Sequence, residues 1–503
     1  MTTLQPRPPY SDEELAKLYP KNLELQLVQI VLRHGERTPV SARFKNAGLH
    51  GTWPYCKAAN EMKSAILAAD GSWDTLAWKR RMETFGANGS PKLAAGPNGE
   101  VDAVCQPGEL TDRGRETTLA LGTRIRTLYV NQLGFLPGFM DDKTRAQVSL
   151  RATPIQRALE SVQQTFSGLY PVAARSPGLL PPAIVQRSMQ DETLFPNEGG
   201  CKRFAELSHA FADRAAKLWN DSPEMQYINK KIGKHMPKES PVVKVDSHPR
   251  LSGVMDTINA TLGHGPATRL PSEFYDDKVR SHIDRICVEE WFAGYQETNE
   301  YRQLGIGGLI GDLTQRMVEH TSGIPKEGES EPFKMTLAGC HDTTIAATLA
   351  SLGAFEYDKH KWPNFTSSIA FELFKAKDAP SPSGAIWPNQ EKSWWYSLFS
   401  PSKSSSGPPA REPLTTMPDS MKRNMEGHYV RLRYNDTPVT LPFCKAPGRH
   451  LEGDESFCTL AAFKEAADVI TPKDWKSACK SNLGSSAFPE KIDPPPGVVA
   501  KIV

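Results

Sequence analysis

The chain of 503 residues is longer than one ordinary single-core domain, so we expect two cores, or one core that carries a large insertion. Hydrophobic residues make up 39% and charged residues 23% of the sequence, as in an ordinary globular protein. The 60 Lys and Arg residues nearly balance the 58 Asp and Glu residues, which argues against a nucleic-acid-binding protein that relies on a broad basic field.

The N-terminal segment and the cysteines bear on the compartment of the protein. The segment MTTLQPRPPYSDEEL lacks the apolar region of a signal peptide, and no run of about 18 apolar residues predicts a membrane span. The eight scattered cysteines show no metal-binding spacing, so free thiols in a reducing compartment are the simplest interpretation. Cys444 and Cys458 bracket a short loop and five N-x-S/T triplets occur, and both features suit a secretory protein. We give the missing signal peptide more weight and expect a cytoplasmic or other intracellular location.

Apolar patterns predict the first strands and helices. Residues 23–32 form a short run rich in Leu, Val and Ile, which is typical of a buried strand in an α/β sheet. Thr111 is a suitable N-cap for a helix with one apolar face, and Pro154 suits the first turn of another helix. In chain order we predict a strand over 23–32, loops over 41–107 with a helix over 58–69, a helix over 112–129, a strand over 146–152 and a helix over 155–168.

The pattern changes after residue 171, where helical segments occur with few convincing strands. This change predicts an α-helical insertion between two sheet-forming parts of the chain. Further on, a strand leads directly into a helix at His341, and two later strands form a hairpin with Asn435 and Asp436 in the turn. The elements predicted here are helices over 202–219, 251–262, 288–304 and 343–352, and strands over 334–340, 368–374, 428–434 and 437–442.

Together these elements predict an α/β fold with a mostly parallel sheet, flanked by helices, and an inserted α-helical cap subdomain. The sheet domain is expected to be discontinuous, with one part over 20–170 and the other over 334–480. The helical cap is expected over 171–333. Residues 375–427 are rich in Ser, Pro and Gly, which indicates a disordered insertion between two strands.

The motif Arg33-His34-Gly35-Glu36-Arg37-Thr38-Pro39 carries the strongest chemical signal. A chance match to the five specified residues of R-H-G-x-R-x-P has a probability on the order of one in ten thousand. The preceding strand is expected to deliver His34 to the carboxyl end of the sheet, where ligands bind in such folds. Neutral imidazole is a nucleophile toward phosphorus, and Arg33 and Arg37 offer fork-shaped donors for phosphate oxygens. The alternative is a core histidine between two surface arginines, which has little structural logic at a strand end.

Two further strand ends carry residues of the same kind. Arg151 closes the strand over 146–152 and is predicted to bind phosphate at the same sheet edge as His34, although most arginines are simply solvated. His341 and Asp342 lie between a strand and a helix whose first N–H groups favour anions. We predict that His341 binds phosphate and that Asp342 protonates the leaving oxygen, although Asp at a helix start is more often only a cap.

The sequence resembles the histidine acid phosphatase family, within the phosphoglycerate-mutase-like superfamily. The resemblance rests on RHGERTP, GELTDRGRETTLALGTRIRTLY, LRATPIQRALESVQQTFSGLYP and LAGCHDTTIAATLASLG, in the family's order, and on the later FELF strand. It implies an α/β domain with a helical cap and neither metal nor cofactor. Ala152 departs from the family, which usually has Ser at that position. The implied roles are phosphate acceptor for His34, proton donor for Asp342, and phosphate ligand for Arg33, Arg37, Arg151 and His341.

The sequence therefore predicts an acid phosphatase that hydrolyses phosphomonoesters through a phosphohistidine on His34. The expected partner is a small phosphomonoester, without nucleic acid or a transmembrane span, and the oligomeric state is not readable. Lysophosphatidic acid, sugar phosphates and inositol phosphates are alternative substrates, although the lack of a Lys cluster disfavours a dedicated polyphosphate. A phosphoglycerate-mutase-type phosphotransferase and an inactive anion-binding module are the competing classes. Because Asp342 must be protonated to act as an acid, we expect the highest activity in mildly acidic solution.

Overall fold

The computed structural model describes residues 8–322, 333–355, 361–379 and 409–499. The strands in these ranges are, in chain order, β1 (Leu23–Arg33), β2 (Met62–Leu67), β3 (Trp73–Trp78), β4 (Glu83–Phe85), β5 (Pro91–Leu93), β6 (Val148–Ala152), β7 (Ile184–Val185), β8 (Met335–Cys340), β9 (Ser368–Ala376), β10 (His428–Tyr434), β11 (Thr437–Val439), β12 (His450–Leu451) and β13 (Asp454–Thr459). The α-helices are α1 (Asp12–Leu18), α2 (Asp112–Arg126), α3 (Gln156–Leu169), α4 (Lys202–Trp219), α5 (Pro223–Ile232), α6 (Leu251–Gly263), α7 (Asp277–Glu297), α8 (Asn299–Arg302), α9 (Gly308–Thr321), α10 (Asp342–Ser351), α11 (Asp419–Asn424), α12 (Leu460–Ile470) and α13 (Trp475–Ala478).

The central sheet has the strand order β12-β13-β10-β9-β1-β8-β6-β7, with β11 paired to β10. Strands β1, β8, β6 and β7 are parallel, and the pairings from β1 through β9 to β12 are antiparallel. Arg33 pairs with Cys340 and Arg151 pairs with Ala338, so β1, β8 and β6 end at the same edge. The predicted α/β fold is confirmed, and its parallel half carries the ends of these three strands.

Strand β1 shows how helices cover both faces of the sheet. Successive side chains of a strand point to opposite faces. Accordingly, Val28, Ile30 and Leu32 pack in the core that includes α2 and α3, whereas Leu27 and Val31 pack in the core that includes α9 and α10. A further core lies mainly among the helices between β7 and β8, and the predicted cap over 171–333 stays a prediction. Its buried residues include Met225, Ile228, Ile258 and Ile283.

The helix predicted over 58–69 is wrong. A short turn of 3-10 helix at Lys57–Asn60 is followed by β2, which pairs with β3 as a hairpin. Gly71 lies in the hairpin turn with φ of +82°, a backbone conformation that glycine adopts readily. Because the side chains of β2 and β3 are mostly exposed, no core selects a helix here, and the turn determines the local structure.

Two other predicted segments differ in their bounds. The helix predicted over 288–304 is α7, which begins at Asp277 because the carboxylate of Asp276 accepts two of its first N–H groups. It ends at Glu297, and the chain continues into α8. In the insertion predicted over 375–427, β9 extends to Ala376 and α11 lies near the end. Residues 380–408 fall outside the described residues, so their disorder stays a prediction.

Six cysteines form disulfides, and the interpretation of all eight as free thiols is wrong. The pairs are Cys56–Cys105, Cys201–Cys479 and Cys444–Cys458. The second pair joins the start of α4 to the end of α13 across 278 residues of sequence, and closing so long a loop stabilises the fold by roughly 5 kcal/mol in the chain-entropy account. Among the described residues, no helix is sufficiently long and apolar to span a membrane.

A thiol titration checks these pairings. Without reductant, the denatured chain is expected to show two thiols, those of Cys287 and Cys340, which the structure leaves unpaired. After reduction all eight cysteines are expected to react. The thermal midpoint should fall after reduction, because the reduced chain gains conformational freedom when it unfolds. Eight reactive thiols in the unreduced protein would contradict the pairings.

Candidate active site

The structure brings His34, His341 and Asp342 together at the carboxyl edge of the parallel strands. His34 directly follows β1, and His341 and Asp342 lie at the passage from β8 into α10. The two imidazole rings meet edge to face, with their centroids 5.5 Å apart. Neighbouring parallel strands thus place residues that are distant in sequence around one small volume.

The surroundings of His34 fix its tautomer and its charge. Its Nδ1 lies 2.9 Å from the carbonyl oxygen of Gly35, which accepts a hydrogen bond, so Nδ1 carries the proton. Burial, followed by the charges of Arg157 and Arg33, lowers the pKa of His34 well below its usual value. The imidazole is therefore neutral, with its lone pair on Nε2. That is the state that a nucleophilic histidine requires.

Arg33 is held on three sides. Its Nη2 lies 2.6 Å from Oδ2 of Asp342, and its Nη1 donates to the carbonyl oxygen of Pro363 at 2.5 Å. The guanidinium also lies 4.2 Å from the centre of the Phe365 ring, within cation–π range. These contacts orient Arg33 before any ligand arrives.

Arg37 is oriented from the helical part of the chain. Its Nη1 lies 2.7 Å from Oδ1 of Asp256, a residue of α6, and the other oxygen of that carboxylate accepts from Arg43 at 3.0 Å. Arg37 is buried, so the carboxylate supplies the charge compensation that water would otherwise give. Helix α6 thereby reaches the edge of the sheet and positions one of the two motif arginines.

Arg157, in the first turn of α3, is a third cation at this site. Its positive charge lowers the pKa values of both His34 and His341. Burial, and then the charge of Arg37, lowers the pKa of Arg157 itself to about 10. Its Nε is buried without a hydrogen-bond partner among the described residues. Such a cation, crowded by other cations, is suited to an anion that bridges them.

The structure does not place Arg151 in this cluster, which corrects its predicted role. Its Nη2 lies 2.5 Å from Oε1 of Glu192, which is completely buried, and its Nη1 lies 3.5 Å from Asp312. Asp312 in turn pairs with Arg187. The partners of Arg151 are thus carboxylates outside the cluster around His34. Arg157, and not Arg151, is the arginine after β6 whose charge acts on His34 and His341.

Alanine substitutions distinguish the roles of Arg157 and Arg151. Arg157→Ala is expected to lower kcat/KM for p-nitrophenyl phosphate about 10- to 100-fold, because a hydrogen bond to a charged group contributes about 1.5–3 kcal/mol. The pKa of His34 should rise in the same variant, since a neighbouring positive charge has gone. Arg151→Ala is the matched control. It leaves Glu192 buried and unpaired, so we expect a loss of about 3–5 kcal/mol in the free energy of unfolding with kcat/KM per folded molecule nearly unchanged. A larger kcat/KM loss in Arg151→Ala would restore the original assignment.

Asp342 is ionised, whereas the neighbouring His341 is neutral. Burial raises the pKa of Asp342, but the charges of Arg33 and Arg37 outweigh it and hold that pKa at about 2. His341 has its pKa lowered to about 3 by burial and by the charge of Arg157, so it is neutral. Its Nε2 lies 3.1 Å from the hydroxyl of Thr153, just beyond β6. With no anion bound, Asp342 is thus an ionised partner of Arg33.

Sequence reasoning missed Arg157, Asp256 and Trp362. The side chain of Trp362 acts on Asp342 and helps to lower the pKa of that carboxyl. Arg157 had a weak signal, since it opens a helix directly after a strand that ends at the site edge. Asp256 and Trp362 had none, because each acts through a contact between segments that are distant in sequence. In the described ranges, no group of three or more His, Cys, Asp or Glu side chains is arranged to hold a metal ion.

Comparison with known proteins gives a family match over most of the chain. A family model described as the histidine phosphatase superfamily, branch 2, matches residues 24–435. A probable acid phosphatase of Schizosaccharomyces pombe is 38% identical over 464 residues, which cover 92% of this chain and 95% of that protein. Lysophosphatidic acid phosphatase type 6 of Bos taurus is 24% identical over 391 residues, which cover 75% of this chain and 77% of that protein.

Solved structures share the fold at low sequence identity. The multiple inositol polyphosphate phosphatase of Bifidobacterium longum superimposes with a TM-score of 0.52 and 13% identity, over 93% of this chain and 97% of that one. A Hafnia alvei phytase in complex with tartrate gives a TM-score of 0.51 and 13% identity, over 92% of this chain and 99% of that one. At such identities the likeness concerns the arrangement of the sheet and its helices.

Proposed function

This chain belongs to branch 2 of the histidine phosphatase superfamily and is a phosphomonoester hydrolase, and from that premise we propose that His34 accepts the phosphoryl group. Asp342 donates the proton to the leaving oxygen, and Arg33, Arg37, Arg157 and His341 bind the phosphate. The observation that carries these roles is the convergence of two neutral histidines, three arginines and one carboxyl at one sheet edge.

In the first step, the Nε2 lone pair of His34 attacks phosphorus, and the bond from phosphorus to the ester oxygen breaks. The three arginines bind the other phosphate oxygens and stabilise the charge that they carry in the transition state. Asp342 transfers its proton to the departing oxygen, which leaves as an alcohol. The carbonyl of Gly35 holds the Nδ1 proton and stabilises the positive ring that forms.

In the second step, water attacks the phosphohistidine. Asp342, now ionised, takes a proton from that water, and the bond between phosphorus and Nε2 breaks. Inorganic phosphate leaves, His34 regains its lone pair and Asp342 is again protonated. One carboxyl thus serves as acid and then as base, and both steps pass through the same cluster of cations.

The proton on Asp342 depends on the bound substrate. In the free protein the charges of Arg33 and Arg37 keep the pKa of this carboxyl at about 2 despite its burial, so it is ionised at most pH values. A phosphate group that pairs with those arginines offsets their charge and raises the pKa of Asp342. Binding and protonation are therefore coupled, and the acid becomes competent only in the complex.

The direction in which kcat changes with pH follows from the pKa values of Asp342 and His34. Turnover should fall as pH rises through the pKa of Asp342 in the complex, because the ionised carboxyl has no proton to give. It should also fall at strongly acidic pH, because the pKa of His34 is well below its usual value and only the neutral ring attacks. We expect an acidic optimum, measured as inorganic phosphate released from an alkyl phosphate, whose leaving oxygen needs a proton, after treatment with a chelator. A flat or alkaline profile would contradict the role of Asp342.

A parallel assay with p-nitrophenyl phosphate separates a hydrolase from a phosphotransferase. With an added alcohol such as glycerol, a hydrolase should release inorganic phosphate in step with p-nitrophenol. A phosphate deficit matched by glycerol phosphate would indicate that the phosphoryl group passes to the alcohol. A steady loss of all activity in chelator would instead indicate a metal requirement.

The disulfides support a proposal about the compartment. Bonds such as Cys56–Cys105, Cys201–Cys479 and Cys444–Cys458 form and persist in oxidising compartments and are rare in a reducing cytoplasm. We propose that the protein works in an oxidising lumen or outside the cell. An oxidising lumen still fits the cytoplasmic or other intracellular location expected from the sequence, whereas the reducing cytoplasm does not fit these disulfides. Fractionation of the native cell, with the protein detected in the cytosol in reduced form, would contradict it.

A further inference from the structure

Two short hairpins present a cluster of apolar side chains to solvent. They are formed by β2 with β3 and by β4 with β5, and each is a separate two-stranded sheet. Within the described residues, none of these four strands pairs with the central sheet. The exposed large apolar residues of the two hairpins are Met62, Leu67, Trp73, Leu76, Trp78, Phe85 and Leu93. Since soluble proteins rarely expose apolar side chains in such a cluster, the cluster indicates a contact surface.

In the hairpin of β2 and β3, the exposure of these residues rises toward the turn. Near the ends farthest from the turn, Met62 pairs with Trp78, and the two are 39% and 49% exposed. Next to the turn, Leu67 pairs with Trp73, and the two are 64% and 72% exposed. The tip of this hairpin, residues 66–74, is therefore its most accessible apolar part.

The apolar side chains lie on both faces of this hairpin. Successive side chains of a strand point to opposite faces, and directly paired residues share a face. Leu67 and Trp73 thus lie on one face, whereas Met62, Leu76 and Trp78 lie on the other. A protein partner that packed against one of these faces would leave the other in water.

Either face alone is too small for a stable dimer. A fully buried aromatic side chain contributes about 150–250 Å², so the face with Leu67 and Trp73 offers roughly 300 Å². A standard protein interface buries about 800 Å² on each partner. A second copy of this chain packed on one face would bury less than half of that area. A lipid layer, in contrast, surrounds an inserted tip and covers both faces together.

The tip suits the interface of a bilayer and not its hydrocarbon core. Tryptophan is enriched at membrane–water interfaces, where its ring lies at the level of the headgroups. Among the described residues, β2 and β3 pair only with each other, so each has an open edge. The unpaired N–H and C=O groups of an open edge do not enter hydrocarbon. The turn also carries the exposed carboxylate of Asp70, which is costly to remove from water.

The charges near the tip indicate which lipid surface it fits. Asp70 and Asp74 are the charged residues of the tip, and Lys63 is the cation of β2. The cations that follow β3 pair with carboxylates, Lys79 and Arg81 with Asp102, and Arg80 with Glu109. The hairpin therefore has no excess of cations to attract an anionic membrane surface. A zwitterionic surface, such as phosphatidylcholine, is the one that its charges fit.

We propose that the tip docks the protein on a zwitterionic lipid surface through shallow insertion of Leu67 and Trp73. The hairpin is tied to the loop that carries the candidate active site. Nη2 of Arg80 lies 2.7 Å from Oε2 of Glu109, and the carbonyl oxygen of Glu109 accepts the N–H of Thr38 at 3.1 Å. Docking therefore holds the RHGERTP loop close to the lipid surface.

Flotation of the full chain with phosphatidylcholine vesicles tests the proposal. The wild-type protein should float with the vesicles. The bound fraction should persist when NaCl is raised from about 0.1 M to about 1 M, because the contact is apolar and salt screens only charges. Added phosphatidylserine should not increase binding. Absence of binding to phosphatidylcholine, or binding that requires phosphatidylserine or low salt, would overturn the proposal.

Variants connect the binding to the tip. The double variant Leu67→Ser with Trp73→Ser should lower the partition coefficient at least about tenfold, because each side chain buries on the order of 100 Å² of apolar surface. Trp73→Phe should keep most of the binding but reduce the quenching of tryptophan fluorescence by brominated phosphatidylcholine. Phe139→Ser is the matched control, since Phe139 is 50% exposed and lies outside both hairpins. Undiminished partition of the double variant, or unchanged quenching in Trp73→Phe, would overturn the proposal.

Measurements without lipid distinguish a docking tip from a dimer contact. The double variant should keep the thermal midpoint and the kcat/KM for p-nitrophenyl phosphate of the wild type, because Leu67 and Trp73 are exposed and lie outside the phosphate cluster. Sedimentation equilibrium should give the same mass for both proteins. A wild-type dimer that dissociates in the double variant would show that a second copy covers the tip, and this would overturn the proposal.

Discussion

Replacing His34 by Ala is expected to lower kcat for p-nitrophenyl phosphate by on the order of 10⁴-fold or more, because the variant has no atom to accept the phosphoryl group. The three arginines and His341 remain, so the affinity for inorganic phosphate should change much less than kcat. The loss should persist in protein treated with a chelator. Steady-state kinetics and a phosphate-inhibition constant, measured on the same preparation, give both quantities.

His320→Ala is the matched control for this substitution. His320 is a half-buried histidine that lines a cavity beside Glu24 and Gln26, near the opposite end of β1. Its removal should leave kcat close to the wild-type value. Equal thermal midpoints for the His34 variant and the wild type would show that lost activity is not lost folding. Substantial residual turnover in His34→Ala would remove the covalent mechanism.

Replacing Asp342 by Asn should lower kcat by about 10²- to 10⁴-fold for alkyl phosphates, the usual contribution of a positioned acid. The loss should be much smaller for p-nitrophenyl phosphate, because p-nitrophenolate leaves without needing a proton. Asn keeps the oxygen that accepts the N–H of Thr343 at 2.8 Å, so the start of α10 is preserved. The ratio of the two losses is therefore the informative quantity.

A structural role for Asp342 would give a different result. If its carboxylate only oriented Arg33 through the 2.6 Å ion pair, both leaving groups would lose activity equally. The fall in kcat with rising pH would then still be seen in Asp342→Asn. Equal losses of kcat for the two substrates, together with an unchanged fall in kcat at rising pH, would contradict the assignment of Asp342 as the proton donor.

Much of the fold could be predicted from the sequence, because burial imposes a pattern of apolar residues on it. Strand β1 is rich in Leu, Val and Ile, since helices cover both faces of the sheet. Helix α10 begins directly after His341, which follows β8. The short hairpin of β2 and β3 has little buried surface to impose such a pattern. Its turn at Gly71 was therefore the only local guide.

Arg151 shows why strand ends alone do not define a site. Its position along the chain places it at the correct edge of the sheet, in register with Ala338. The direction of its side chain depends on which face of the pleat it occupies and on nearby carboxylates. Glu192 and Asp312 lie at distant sequence positions and pair with it, so these contacts could not be predicted from the local sequence. Arg157 reaches the cluster from a helix that packs back onto the same edge.

The charge state of Asp342 in the free protein could also not be predicted from the sequence. The sequence-based expectation considered only the effect of bound phosphate, which raises the pKa of the carboxyl. The structure adds two arginine charges that lower it in the free protein. The acidic optimum thus depends on how fully the substrate offsets those charges.

Rapid-quench labelling with a phosphomonoester that carries radioactive phosphate tests the covalent mechanism most directly. The quench is alkaline, because phosphohistidine is stable in base and hydrolyses in acid. Wild-type protein should carry label on His34 within one turnover, lose it at the rate of phosphate release, and show none in His34→Ala. Label on another residue, or product formed at full rate with no labelled protein at any time, would contradict the account.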